Sequence, residues 1–156
     1  MDARTLIALF GQEMGVPMAL SEAGTVSLAF EVGPTVHLEY DPMINGLQCY
    51  VVLGQAPAEQ PACEALFCRM LVANVFGCDT DGATLGLDEV TGDLILSRCV
   101  DLAHADTASL RVILESMVPL ALDWQRRLAG PFPDGDKDVG GGGTRRLYDP
   151  AFGLPA

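Results

Sequence analysis

Residues Leu47–Leu53, read Leu-Gln-Cys-Tyr-Val-Val-Leu, constrain the fold more than any other stretch of the chain. The run is strand-like and apolar on both faces, which places it in the middle of a sheet. Asn45-Gly46 stands immediately before it, the strongest short hairpin signal there is. Its sequence neighbour must therefore turn back and pair with it antiparallel.

That neighbour is Thr35–Tyr40, where Val36, Leu38 and Tyr40 share one face, with Asp41-Pro-Met-Ile-Asn-Gly46 as the turn. Before it, Thr25–Phe30 carries Val26, Leu28 and Phe30 on one face, and Glu31-Val-Gly-Pro34 is the connection between the two. Helical spacing brackets these three strands. At the start, Ala3, Leu6, Ile7, Phe10 and Met14 recur every three or four residues until Gly15 and Pro17 stop them, with Leu9 off the stripe. After the strands, Pro61 opens a second helix through Cys63, Leu66, Phe67, Met70, Leu71 and Val75 to Gly77. This helix is apolar nearly all round, so its own domain or a partner must wrap it.

Two more strands follow, Thr84–Val90 and Asp93–Val100, turning around Thr91-Gly92. From Asp106, placed as an N-cap, a last helix runs through Leu110, Ile113, Leu114, Met117, Ala121, Trp124 and Leu128, with a kink expected at Pro119. The order is α-β-β-β-α-β-β-α. Consecutive hairpins with helices between them indicate an α+β domain with an antiparallel sheet, spanning residues 1–129. Residues 130–156 are Gly- and Pro-rich and aperiodic, which reads as a flexible tail.

Charge narrows the partners. The chain has 21 acidic and 9 basic residues, and residues 1–129 alone hold 17 acids against 6 bases. Phosphate binding needs clustered Lys and Arg, so a nucleic acid or an anionic membrane surface is an unsuitable partner. No run of 18 apolar residues is present to span a bilayer, and the N-terminus lacks the basic and apolar regions of a signal peptide. Five cysteines show no C-x-x-C pair or zinc spacing, as expected of free thiols in a reducing cytoplasm.

Chemistry is hard to find. His37 falls on the polar face of a strand and His104 in a loop, with no spacing that makes a ligand pair. Asp79 and Asp81 suggest a calcium loop, but Gly82 comes too early for that register. Asp88 and Glu89 are adjacent in a strand-like run and so point to opposite faces, away from a shared cleft. Gly140–Gly143 lacks the Gly-Lys-Ser/Thr ending of a phosphate loop. The expectation is a protein without catalytic residues, metal or cofactor, whose excess apolar surface serves protein contacts.

The element order, and above all Leu85-Gly-Leu-Asp-Glu-Val-Thr-Gly-Asp-Leu-Ile-Leu-Ser-Arg98, resembles the class I effector chaperones of bacterial type III secretion, the Tir-chaperone family. The resemblance implies a cytoplasmic homodimer that binds the N-terminal segment of a secreted effector in extended form, keeping it soluble and ready for export. It implies a dimer interface through the second helix and the following strand, here Leu66, Phe67, Met70, Leu71, Leu85 and Leu87. It also implies docking patches for the effector on the first helix, Leu6, Leu9 and Phe10, and on the first strands, Val26, Leu28, Phe30, Val36 and Leu38. The secretion ATPase is a further partner such an acidic body would suit. The rival expectation is a regulatory or adaptor protein on the same scaffold, with a non-effector partner.

Overall fold

The computed structural model describes residues 1–30 and 32–129, so the tail read at 130–156 lies outside the described residues, as does Glu31 in the first connection. The elements are α1 (Ala3–Met14), β1 (Thr25–Leu28), β2 (Val36–Asp41), β3 (Gly46–Gln55), α2 (Gln60–Asn74), β4 (Thr84–Leu87), β5 (Asp93–Asp101) and α3 (Thr107–Ala129). This is the expected α+β order, and all five strands form one sheet, β1-β2-β3-β5-β4, antiparallel throughout.

The central position of β3 follows from its sequence, but its two faces differ. Leu47, Cys49, Val51 and Leu53 are buried, and across the ladders they meet Leu38, Leu96 and Val100. Alternation sends Gln48, Tyr50 and Val52 to the opposite face, beside His37, Glu39, Ile95 and Ser97, where none of these side chains is fully buried. Helices therefore cover one face only. Leu6, Ile7 and Phe10 of α1 join Leu110, Leu114, Met117, Ala121 and Trp124 of α3 in the core cluster, and Leu66, Met70 and Ala73 of α2 complete it beside β4. These side chains supply the apolar burial that stabilises the fold.

Caps set where the helices begin and end. The Asp2 carboxylate accepts from the Thr5 backbone N–H at 3.0 Å and from the Thr5 hydroxyl at 2.6 Å, and Gly15, in the left-handed region, closes α1. Asp106 accepts from the Ser109 N–H at 2.7 Å and so starts α3 as expected. The helix continues through Pro119 to Ala129 as one element, although Pro119 removes an N–H that would bond one turn back.

Two elements are shorter than the sequence suggests. The second helix stops at Asn74, not at Gly77, because Asn74 turns its side chain to β4. Its amide donates to the Leu85 carbonyl at 3.0 Å and accepts from the Leu85 N–H at 2.8 Å. A 3-10 turn at Val75–Gly77 follows. The strand expected over Thr84–Val90 ends at Leu87 because Asp88 opens the turn: its carboxylate accepts from the Val90 N–H at 2.9 Å, and its carbonyl from Gly92 at 2.8 Å. Asp88 and Glu89 thus sit in a turn, not on opposite faces of a strand.

Candidate interaction surfaces

The residues expected at a dimer interface divide by helical geometry. Leu66 and Met70 lie one turn apart on the inner face of α2 and are buried within their own chain, as is Leu85 on β4. Their role is core packing, which corrects the expectation that they meet a partner. Leu71 is 68% exposed, Leu87 is 43% exposed, and Phe67 is half-buried.

The outer face of α2 extends this group with residues the sequence reading missed. Val72 is 70% exposed, and Val75 and Cys68 are exposed too, at three- and four-residue spacings from Leu71 that put them on one stripe. Phe76 ends the stripe at 85% exposure, with φ of 55°, a left-handed backbone unusual for an aromatic residue. Gly77, also left-handed, packs so closely that a Cβ there would stand 2.9 Å from the Gly82 nitrogen. The strained pair keeps the Phe76 ring in solvent at the end of an apolar strip. Nothing in the side-chain spacing announces that backbone.

The residues expected to dock a partner also divide. Leu6, Phe10, Val36 and Leu38 are buried in the core, so they present no surface to another chain, contrary to the expectation for them. A stripe at helical spacing and the inward side of a strand are where a core forms first. Leu9, off the stripe, is 38% exposed. Val26 and Leu28 stand opposite Leu38 and Val36 on the helix-covered side of the sheet, yet remain half-exposed because β1 is an edge strand. Phe30, just past the end of β1, is also half-buried. What remains available is Leu9 with Val26, Leu28 and Phe30.

The uncovered face of the sheet bears a shallow groove of about 390 Å³ lined by Glu39, Asp41, Gln48, Tyr50, Ile95 and Ser97, among others. Tyr50 stacks on His37 with ring centroids 5.1 Å apart, and His37 Nδ1 is 2.9 Å from the Ser27 hydroxyl. Burial pushes the Tyr50 hydroxyl above its ordinary range, and the Glu39 and Asp88 carboxylates add to this. His104 pairs with exposed Asp101 at 3.0 Å. Burial also pushes the Cys49 thiol up to about 12, which marks a packing residue and not a nucleophile. Among the described residues no group of three or more His, Cys, Asp or Glu could hold a metal ion, and no helix is long and apolar enough to cross a membrane.

Known proteins give these surfaces a context. No curated protein sequence matches the chain. Solved structures share its fold. The ExsC-ExsE complex includes a chain with 22% identity and a TM-score of 0.66, over 82% of this chain and 97% of that one. In the heterodimeric ExoU-SpcU complex from the type III secretion system of Pseudomonas aeruginosa, the match has 20% identity and a TM-score of 0.62, over 77% and 95%. The Yersinia pestis type III secretion chaperone SycH, in complex with a stable fragment of YscM2, gives 18% identity and a TM-score of 0.61, over 78% and 98%. The model of the Tir chaperone protein (CesT) family matches residues 5–125, from the first turn of α1 almost to the end of α3, and the chain belongs to that family.

Proposed function

We propose that the protein is a cytoplasmic type III secretion chaperone, a homodimer that holds the N-terminal segment of a secreted effector in extended form. The observation that carries this reading is the family match over residues 5–125. The solved relatives named above are complexes, one of them of a type III secretion chaperone with a partner fragment, which supports a protein partner here.

The physical logic rests on two separate apolar surfaces. The α2 strip, from Phe67 and Leu71 through Val75 to Phe76 and flanked by Leu87, suits a second copy of the chain, since a two-fold axis buries the same strip twice. The half-exposed residues Val26, Leu28 and Phe30, along β1 and just past its end at the edge of the sheet, suit an extended segment that adds to the sheet beyond Thr25. A segment held this way keeps its apolar residues out of water without any catalytic step. The acidic body keeps the assembly soluble and offers a field for a basic partner such as the secretion ATPase.

The test is native mass spectrometry of the full chain expressed with a type III effector from the same cell, with limited proteolysis of the complex. Two copies of this chain on one effector, protecting that effector's N-terminal segment, is the expected result. A chain that stays monomeric and leaves the effector unprotected rules the reading out.

A further inference from the structure

The uncovered sheet face combines three features. It is a groove, it carries the carboxylates of Glu39 and Asp41 beside an aromatic platform of Tyr50 on His37, and no Lys or Arg lines it. Arginines elsewhere in the fold are held at other places. Arg4 donates to the carbonyls of Leu20 and Ser21, Arg98 to that of Asp81, Arg111 pairs with Glu13, and Arg126 and Arg127 pair with Asp123. The groove's own lining thus offers its carboxylates no Lys or Arg partner.

The chain itself contains such cations. Four glycines, Gly140–Gly143, are followed by Thr144-Arg-Arg-Leu-Tyr-Asp-Pro-Ala-Phe152, a short cationic and aromatic motif behind a spacer. The family model stops at residue 125, and the three solved relatives are covered over 95–98% of their own length while taking up 77–82% of this chain. The motif is therefore an addition to the shared domain.

Reach is sufficient. The side-chain amide of Gln125, in the last turns of α3, donates to the Val52 carbonyl at 3.2 Å, so α3 ends beside β3 two residues beyond Tyr50, which lines the groove on the opposite face. Along β3, Val52 to Gln48 is about 13 Å. Residues 130–143 form a Gly- and Pro-containing spacer whose composition gives a root-mean-square span of roughly 20 Å. A tether of that length supplies its motif at an effective concentration of about a millimolar, enough for a weak contact to be populated.

We propose that the uncovered face of the sheet is the docking site of the chain's own residues 144–152, with Arg145 and Arg146 on the Glu39 and Asp41 carboxylates and Tyr148 against the Tyr50 ring. The arrangement does not depend on the chaperone reading, because donor and acceptor both belong to this chain. It places a self-ligand on the face opposite the helices and leaves the α2 strip free.

The test is the amide spectrum of the full-length, nitrogen-15-labelled protein compared with its Arg145→Glu/Arg146→Glu variant. The variant changes two residues outside the stretch that the family model matches, and the amide spectrum itself reports whether the fold is kept. Expected are shifts of the Glu39, Gln48, Tyr50 and Ser97 amides that are independent of protein concentration and suppressed at high salt. Adding Glu39→Arg and Asp41→Arg to that variant restores the bound pattern. Unchanged sheet-face amides overturn the proposal. So do shifts confined to Leu71–Phe76, which place the motif on the α2 strip, and shifts that grow with protein concentration, which place it on another copy.

Discussion

Helices α1 and α2 look alike in composition and have opposite fates. Both are short and rich in apolar residues. In α1 the apolar residues recur at helical spacing, the Asp2 carboxylate and Gly15 close its ends, and Leu6, Ile7 and Phe10 enter the core. In α2 they are spread around the axis, no side chain caps either end, and only Leu66, Met70 and Ala73 are buried. The difference teaches that spacing, not apolar content, decides what one domain can cover. The remainder of α2 stays exposed.

Substitutions can break this contrast at three points. Phe10→Asp removes a core aromatic and buries a carboxylate. A loss of about 4 kcal/mol or more is expected in urea unfolding, the scale of a large aromatic truncation before the buried charge is added. A variant that unfolds at the wild-type midpoint returns Phe10 to the surface. Leu71→Glu places a charge on the exposed strip of α2 instead. It is expected to leave the unfolding midpoint of the dilute protein nearly unchanged while weakening self-association at least tenfold by light scattering, about 1.4 kcal/mol. Undiminished association moves the dimer seam elsewhere.

The smallest effect concerns the cap of α1. The Thr5 hydroxyl and the Thr5 backbone N–H hold the Asp2 carboxyl below its ordinary value. Because the folded state favours the ionised form, the cap's contribution is complete above the ordinary carboxylate range and fades as pH falls through the depressed folded value. Asp2→Asn keeps a cap but cannot titrate. The melting temperatures of wild type and variant are therefore expected to converge as the pH is lowered into that acidic window. A constant gap across it would show that ionisation of Asp2 plays no part.

The same contrast explains how much could be read from the chain. The centrality of β3, the hairpins and the buried stripe of α1 were legible because period and turn chemistry act locally. Which apolar residues face a partner was not. Leu6, Phe10, Val36 and Leu38 have the patterns of good contact residues because core and interface use the same side chains, and burial is settled only when the elements pack. Phe76 escaped notice for another reason. Its left-handed backbone stands between Asn74, which turns aside to bond with Leu85, and Gly77, which comes close to Gly82, both tertiary facts. The tight turn at Asp88, by contrast, was readable in kind and misplaced only in its first residue.

The longest ladder in the sheet carries a consequence for the order of assembly. Strands β3 and β5 pair from Gly46 with Asp101 to Gln55 with Asp93, and everything between them in the chain, α2 and β4 included, lies in the loop that this pairing closes. Closing so long a loop is slow compared with forming a helix or a tight hairpin. Until it closes, Leu66 and Met70 have no sheet to enter and are as wet as Leu71 and Val72. The inner and outer apolar residues of α2 therefore become distinct only once this central ladder has closed.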